Sequence, residues 1–566
     1  MRTNQKKWKL LRVAGWVQKL FQNNFGFMGL LFLLNYTTMA WSLWRAKEIE
    51  LVIGYGFSLF MAVTAVTMVM QIFPTVKIKN VLKGILLFIS GLPFLIEMFA
   101  MYNYKALIGA GIINAVLETN SHEAVEFWKM YIGFQGVAAV VGMILFLVFV
   151  QRYRILARIK ISRRKQNRLV FLLLIVSSLA TLRICTAYAG LLENGSLDLP
   201  VQRTYTSMQT AINNIEAYQE LSSKLNVKSS ITDNKSEIPQ VVFILGEATN
   251  RQHMHLYGYN LPNTPNLDEL KRKNEISVFT DCISPHSTTV SVLRDLFTFA
   301  DYESDKEWYE YNNLIDVMNN AGYKTFWLSN QESAGIWGNV AQLYAKRSTK
   351  HEFTRLRDSH EDFGSLDGEL FPMIDGAMQE QAAKNFYVIH LMGGHSLYYS
   401  RFPYSFAKFT KDDITREATE EQKIVLAQYA NAIYYNDYIV SGIIDKFREQ
   451  EALVIYLPDH GETIYDNSNF AGHVEENPNR YMLEVPMIIW ASDLFKAKYP
   501  EKWRQIQAAV NKPYMTDDMI HTVLDLVDIK TSEFDPTKSI INAKFDAGRK
   551  RMIQGRDYDT EIKPVN

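Results

Sequence analysis

Cysteine is nearly missing from this sequence: Cys185 and Cys282 are the two present in 566 residues. Two thiols are too few for a disulfide framework, so the compartment has to be read from topology rather than from redox chemistry. Net charge is missing too. With 60 Lys and Arg against 60 Asp and Glu the formal charge is zero, and charge therefore implies no nucleic-acid partner. A signal peptide is not evident either, because the first apolar run is too long and no small-residue cleavage site precedes the next one. No charge is evident inside the apolar runs, which disfavours a transporter.

What is present divides unevenly. Five apolar runs precede residue 190, at about 25–45, 51–73, 80–102, 130–151 and 169–190. Each is about 20 residues, the length needed to cross a hydrocarbon core as a helix. The N-terminus carries Arg2, Lys6, Lys7, Lys9, Arg12 and Lys19 with no acid before Glu48, and the loop after the fourth run reads QRYRILARIKISRRKQNR. Positive loops stay in the cytoplasm, so both lie inside and everything after about residue 190 lies outside. The expected organisation is a transmembrane domain over 1–195, an amphipathic linker over 196–238 and a soluble domain over 239–566. Within the linker, Ile212, Ile215, Tyr218 and Leu221 have helical spacing. That pattern fits a helix on the membrane surface or one packed against protein.

The soluble part alternates short apolar runs with helical patterns. QVVFILGE, KTFWLSN, FYVIHLMGG, ALVIYLPDHGE and VPMIIWA read as buried strands. Strands interleaved with helices predict an α/β domain with a mainly parallel sheet, whose site lies beyond the carboxyl ends of the strands. The polar clusters GEATN, SNQES, GGHS and PDHGET all follow strands directly.

Asp459 and His460 after ALVIYL are a carboxylate and an imidazole at one strand end, a pair that can ligate one divalent metal. Taken alone, they equally suit a strand-ending turn with a satisfied histidine. Glu247 after VVFIL occupies the corresponding place on another strand, where the plain alternative is a residue beside a helix cap. The segment Ser284–Ser291 offers several hydroxyls before an amphipathic run, at a helix N-terminus that would favour a phosphate. Such hydroxyls are also ordinary helix caps. The residue pattern does not choose among Ser287, Thr288, Thr289 and Ser291.

Five motifs in order, GEATNRQHMHLYGYNLPNTPNL, SPHSTTVSVLRDLF, FWLSNQ, GGHSLYYSRFPYSFAKF and PDHGET, resemble those of the bacterial phosphoethanolamine transferases, a group within the alkaline phosphatase/sulfatase superfamily. The group includes lipid A modifying enzymes and the mobile colistin-resistance enzymes, and the resemblance extends over the whole chain. It implies zinc bound by Glu247, Thr288, Asp459 and His460, as one ion or two, with manganese as an alternative. It implies Thr288 as the nucleophile that carries the phosphoethanolamine, placed by the Ser-Val three residues on. His395 matches a histidine that contacts phosphate, moves a proton or holds a second zinc. Asn330 and, with different flanks, His473 match substrate-side positions.

The resemblance further implies phosphatidylethanolamine as donor, lipopolysaccharide as acceptor and the bacterial inner membrane as location, with the catalytic domain in the periplasm. Departures narrow the branch. Cys282 has no partner cysteine in the soluble domain, and the lysine expected shortly after Asn330 is absent. The stretches HTVLDLVDI and FDPTKSIIN look closer to the enzymes that modify core heptose than to the lipid A branch. The alternatives are a phosphoglycerol transferase of the same superfamily and a catalytically inactive membrane scaffold. A sulfatase proper would need Cys or Ser before x-P-x-R, and Cys282-Ile-Ser-Pro-His lacks both the spacing and the arginine.

Overall fold

The computed structural model describes residues 2–118, 141, 198–223, 231–332, 340–355 and 365–563. The chain divides into two compact units, Met1–Ile113 with Tyr131–Ala211, and Asn114–Met130 with Ile212–Asn566.

The described part of the first unit is helical. Its helices include α1 (Arg2–Arg45), α2 (Ile49–Val69) and α3 (Val76–Asn103). Phe21, Met28 and Leu31 of α1 share one apolar cluster with Leu59 and Val63 of α2, and Leu82 and Leu86 of α3 pack against it. Among the described residues, Ile49–Ile72 and Val76–Asn103 are long and apolar enough to cross a membrane. They coincide with the second and third expected spans. The first expected span is the second half of α1. The fourth, apart from residue 141, and the fifth lie outside the described residues.

The expectation that the spans hold no interior charge fails at Glu97, which is fully buried within the third. Its carboxylate accepts from Arg203 Nε at 2.8 Å and Nη2 at 2.7 Å, from Ile108 N at 3.4 Å and from the Thr38 hydroxyl. An acid inside an apolar helix is tolerated when a cation neutralises it and hydrogen bonds use its lone pairs. Arg203 belongs to α4 (Pro200–Ser223), so the linker expected to be helical does form a helix.

The second unit is built on a seven-stranded sheet. Its strands are β1 (Gln240–Gly246), β2 (Ile276–Phe279), β3 (Lys324–Glu332), β4 (Lys350–Arg355), β5 (Asn385–His390), β6 (Ala452–Pro458) and β7 (Met487–Ala491), in the order β2-β7-β6-β1-β5-β3-β4. From β6 to β4 all neighbours pair in parallel, whereas β7 is antiparallel to both β6 and β2. The sheet is thus mixed, and VPMIIWA is its one reversed strand. An antiparallel neighbour needs no crossover helix, and between β6 and β7 the chain forms short pairs, turns and the four-residue helix Arg480–Leu483.

Both faces of the sheet are covered. Val241, Phe243 and Leu245 enter one apolar layer, and Val242 and Ile244 enter the other. That explains why β1 reads as an unbroken apolar run. Register then aligns the strand ends: Gly246 lies opposite Pro458, and Leu245 lies opposite His390. Glu247 and Asp459 therefore leave adjacent parallel strands side by side. Two later helices bear on that edge. They are α5 (Thr289–Leu296) and α6 (Glu420–Lys446), the latter started by a reciprocal cap between Thr419 and Gln422. The α6 residue Tyr429 pins the turn after β1, donating to Ala248 O at 2.9 Å and accepting from Asn250 N at 3.0 Å.

Candidate active site

Glu247, Asp459 and His460 converge at the strand ends, each offering one ligand atom, and these atoms lie within 4.8 Å of one another. All three are buried. Asp459 Oδ1 accepts from Ala248 N at 3.2 Å and from His460 N at 2.6 Å. Its second oxygen, Oδ2, is buried with no hydrogen-bond partner. His460 Nδ1 faces Gly461 O at 2.7 Å, which commits that nitrogen to donating and leaves Nε2 free as a ligand. Nε2 lies 3.4 Å from Glu247 Oε1 and 3.4 Å from Asp459 Oδ2.

This donor set fits zinc. Two carboxylates and an imidazole are its ordinary oxygen and nitrogen ligands, and an orphaned carboxylate oxygen aimed at a histidine nitrogen is an atom waiting for a cation. The electrostatics agree. Burial opposes charge on His460, but Asp459 and Glu247 outweigh it and hold the ring up at about 10. Burial, with the Glu247 charge adding to it, pushes Asp459 up to about 6. A divalent cation held by these groups would supply the same positive charge without a proton.

The backbone permits the convergence at two glycines. Gly393 has a φ of 50°, and a Cβ there would stand 2.6 Å from Glu247 O. At Gly461 a Cβ would stand 2.3 Å from Tyr481 O.

The hydroxyl-rich turn separates its members clearly. Thr288, matched by resemblance to the nucleophile, does not reach the three ligands. Its hydroxyl lies 3.2 Å from Glu475 Oε2 and 3.1 Å from Ser291 Oγ. Ser287 is turned to Val474 O at 2.8 Å. Thr289 is the hydroxyl at the centre, with Oγ1 at 3.2 Å from Glu247 Oε1 and 3.4 Å from His460 Nε2. The physical reason is backbone phase. Thr288 is the extended residue before α5, with φ −136° and ψ 141°, and Thr289 is the first helical one, so adjacent side chains leave in different directions.

The remaining expected residues divide in the same way. His473 lies beside the centre, its ring centroid 4.1 Å from that of His460, and its Nδ1 contacts Glu462 Oε2 at 2.7 Å. His460, Glu462 and His473 form a second group able to hold an ion. Sequence inspection missed Glu462 as a site residue although it belongs to PDHGET; burial pushes it up to about 7. His395 stands one ring further out, 6.5 Å from His473. Burial, then the nearby Arg401 charge, pushes it down to about 3.

Asn330 is not at the site. It is buried and fully engaged, donating to Asp367 Oδ1 at 2.7 Å and accepting from Thr354 Oγ1 at 2.7 Å. Its neighbour Gln331 faces the centre instead, donating to Glu247 Oε2 at 3.2 Å and to Leu391 O at 3.2 Å. Asn330 still serves the site at one remove. Asp367 accepts from Met392 N at 2.8 Å and Gly393 N at 3.0 Å, which fixes the turn leading to His395.

A half-buried hydroxyl thus lies beside two carboxylates and an imidazole at the carboxyl edge of an α/β sheet, a set that could hold a divalent cation. The Sulfatase family profile matches residues 239–529, just over half of the chain, and the chain belongs to that family. It is similar to the phosphoethanolamine transferase EptC of Escherichia coli K12, 28% identical over 320 residues that make up 55% of each chain. It is also similar to the phosphoethanolamine transferase CptA of Salmonella typhimurium, 28% identical over 326 residues and 56% of each. The chain thus spans about half the length of the curated relatives it matches. Among solved structures, the C-terminal periplasmic domain of Escherichia coli EptC in complex with Zn aligns with a TM-score of 0.56 at 28% identity, covering 59% of this chain and 97% of that one. The integral membrane protein lipooligosaccharide phosphoethanolamine transferase A of Neisseria meningitidis aligns with a TM-score of 0.61 over 91% of this chain and 97% of that one, and at 20% identity it shows the fold alone.

Proposed function

We propose that this chain is an inner-membrane phosphoethanolamine transferase that moves phosphoethanolamine from phosphatidylethanolamine to lipopolysaccharide, with core heptose favoured over lipid A. One observation carries the reading: the Thr289 hydroxyl lies against Glu247 and His460, beside the partnerless Asp459 Oδ2. The relatives' names supply the transferred group, and the periplasmic label of the Escherichia coli EptC domain supports a catalytic domain outside the cytoplasm. Residues 1–195 then form the five-span anchor, 196–238 the linker and 239–566 the catalytic domain.

Glu247, Asp459, His460 and Thr289 hold a zinc ion in this reading, and His473, Glu462 and His460 offer a place for a second. Zinc, when bound, lowers the pKa of the hydroxyl and offsets negative charge on the phosphodiester. Thr289 Oγ1 attacks phosphorus, and its proton passes toward Glu247, the carboxylate it faces. The bond from phosphorus to the diacylglycerol oxygen breaks, and diacylglycerol leaves with the proton that Glu247 took up. In the second half the acceptor oxygen attacks phosphorus, the Thr289–phosphate bond breaks, and the acceptor's proton returns to Thr289 Oγ1 through Glu247. The half-buried His395 is neutral at ordinary pH, but a ring pushed down to about 3 is a weak base, so its role in this reading is contact with the phosphate.

The test uses cells with and without the gene, with lipid A and core separated before mass spectrometry. The expected result is a phosphoethanolamine-sized difference in the core fraction. A difference in lipid A alone moves the acceptor, and no difference in either refutes the assignment. Purified enzyme offered phosphatidylglycerol beside phosphatidylethanolamine separates the phosphoglycerol alternative. Asp459→Ala and Glu247→Ala should each lose bound zinc, and retention in both would remove the metal centre from the account.

A further inference from the structure

Glu475 has no place in the chemistry above, yet both of its carboxylate oxygens are engaged beside it. Its Oε2 accepts from Ser287 N at 3.0 Å, from Ser287 Oγ at 3.3 Å and from Thr288 Oγ1 at 3.2 Å. Its Oε1 meets His286 Nδ1 at 2.6 Å and accepts from Gln554 Nε2 at 3.2 Å. The other nitrogen of His286 meets Asp295 Oδ2 of α5 at 3.0 Å. The imidazole thus sits between two carboxylates, one on each side of the turn, and clasps it. Three consecutive residues, 286–288, are thereby fixed up to the residue before Thr289. The same stretch that bears Glu475 also carries His473, two residues earlier.

Two threonines side by side raise a selection problem, since either hydroxyl could be offered to a metal centre. We propose that Glu475 is a positioning residue that solves it: by holding 286–288, and the Thr288 hydroxyl with them, it leaves Thr289 as the one hydroxyl presented to Glu247 and His460. The proposal rests on the functional reading above. A merely structural role for Glu475 would alter melting and expression. A positioning role alters the rate of the chemical step and the address of the adduct, and it leaves donor affinity alone.

Full-length enzyme in detergent, with its zinc content measured, is given phosphatidylethanolamine, and both the steady-state rate and the adduct-bearing peptide are determined. For Glu475→Gln, kcat should fall about tenfold with KM and zinc unchanged, since the shape persists but the charge that holds His286 is gone. For Glu475→Ala the adduct should divide between Thr288 and Thr289, and Thr288→Val in that background should return it to Thr289 alone. Wild-type kcat in both Glu475 variants, or a loss of kcat that only tracks a loss of zinc, would overturn the proposal. Wild-type enzyme that forms no adduct at all would instead remove the functional reading on which it rests.

Discussion

Replacing Thr289 by valine tests the nucleophile at the level of single atoms. Valine keeps the branched shape and removes one hydroxyl, the one that lies 3.2 Å from Glu247 Oε1. If that oxygen forms the covalent intermediate, its loss should cost roughly 10⁴–10⁶ in kcat, about 5–8 kcal/mol in the barrier. The same change at Thr288 removes a hydroxyl 3.2 Å from a carboxylate that keeps its bonds to Ser287 N and His286. A hydrogen bond to a charged group contributes about 1.5 kcal/mol at its lower end, which is about tenfold in rate. The two variants should therefore differ by about three orders of magnitude or more, a gap that general destabilisation does not produce. The assay is transfer from phosphatidylethanolamine by purified full-length enzyme with matched zinc content. Thr289→Ser, which restores a hydroxyl, should recover part of the rate. A collapse in Thr288→Val with Thr289→Val within tenfold of wild type would refute the geometry and restore Thr288.

Three other perturbations follow from groups around the centre and in the helical unit. Gln331→Leu removes a donor to Glu247 Oε2, and zinc affinity should fall about 10–100-fold in a chelator competition; unchanged affinity would remove Gln331 from the support of the ligand. Burial opposes charge on His286, but Glu475 and Asp295 hold its ring up at about 10. Because this folded value exceeds the unfolded one of about 6.5, its stabilisation is complete below pH 6.5 and is lost as pH rises toward 10. The difference in melting temperature between wild type and His286→Asn should accordingly shrink from pH 7 to pH 10, and a flat difference would contradict the clasp. Glu97→Ala leaves the buried Arg203 with only the half-exposed Asp198 as ion-pair partner and should lower stability by up to about 3–5 kcal/mol, read as loss of folded protein on heating in detergent; a wild-type melt would show that the pair is dispensable.

Much of the site was legible because the chemistry follows the strands. β1 and β6 are apolar runs that end at Glu247 and at Asp459-His460, and parallel register alone brings such ends together. At two places the geometry differs from the motif reading by one residue. Thr288 and Thr289 straddle the point where extended backbone becomes helix, and motif matching carries no information about where that change of phase falls. Asn330 and Gln331 are neighbours on β3, and successive strand residues face opposite sides, so a shift of one position exchanges a buried structural amide for one at the centre. Glu97 was hidden by its surroundings, since a run that is apolar on average conceals one acid. Its partner Arg203 lies 106 residues away in sequence, beyond any local pattern. Glu475 was hidden for the same reason, as its clients at 286–288 come from a distant turn.

The central claim is that Thr289 carries the transferred group. Wild-type enzyme is incubated with phosphatidylethanolamine without acceptor and digested, and the peptide containing Thr288 and Thr289 is fragmented. The account predicts a phosphoethanolamine-sized increment on Thr289 that disappears when lipopolysaccharide is added. An increment on Thr288, or on a residue outside this turn, would contradict it.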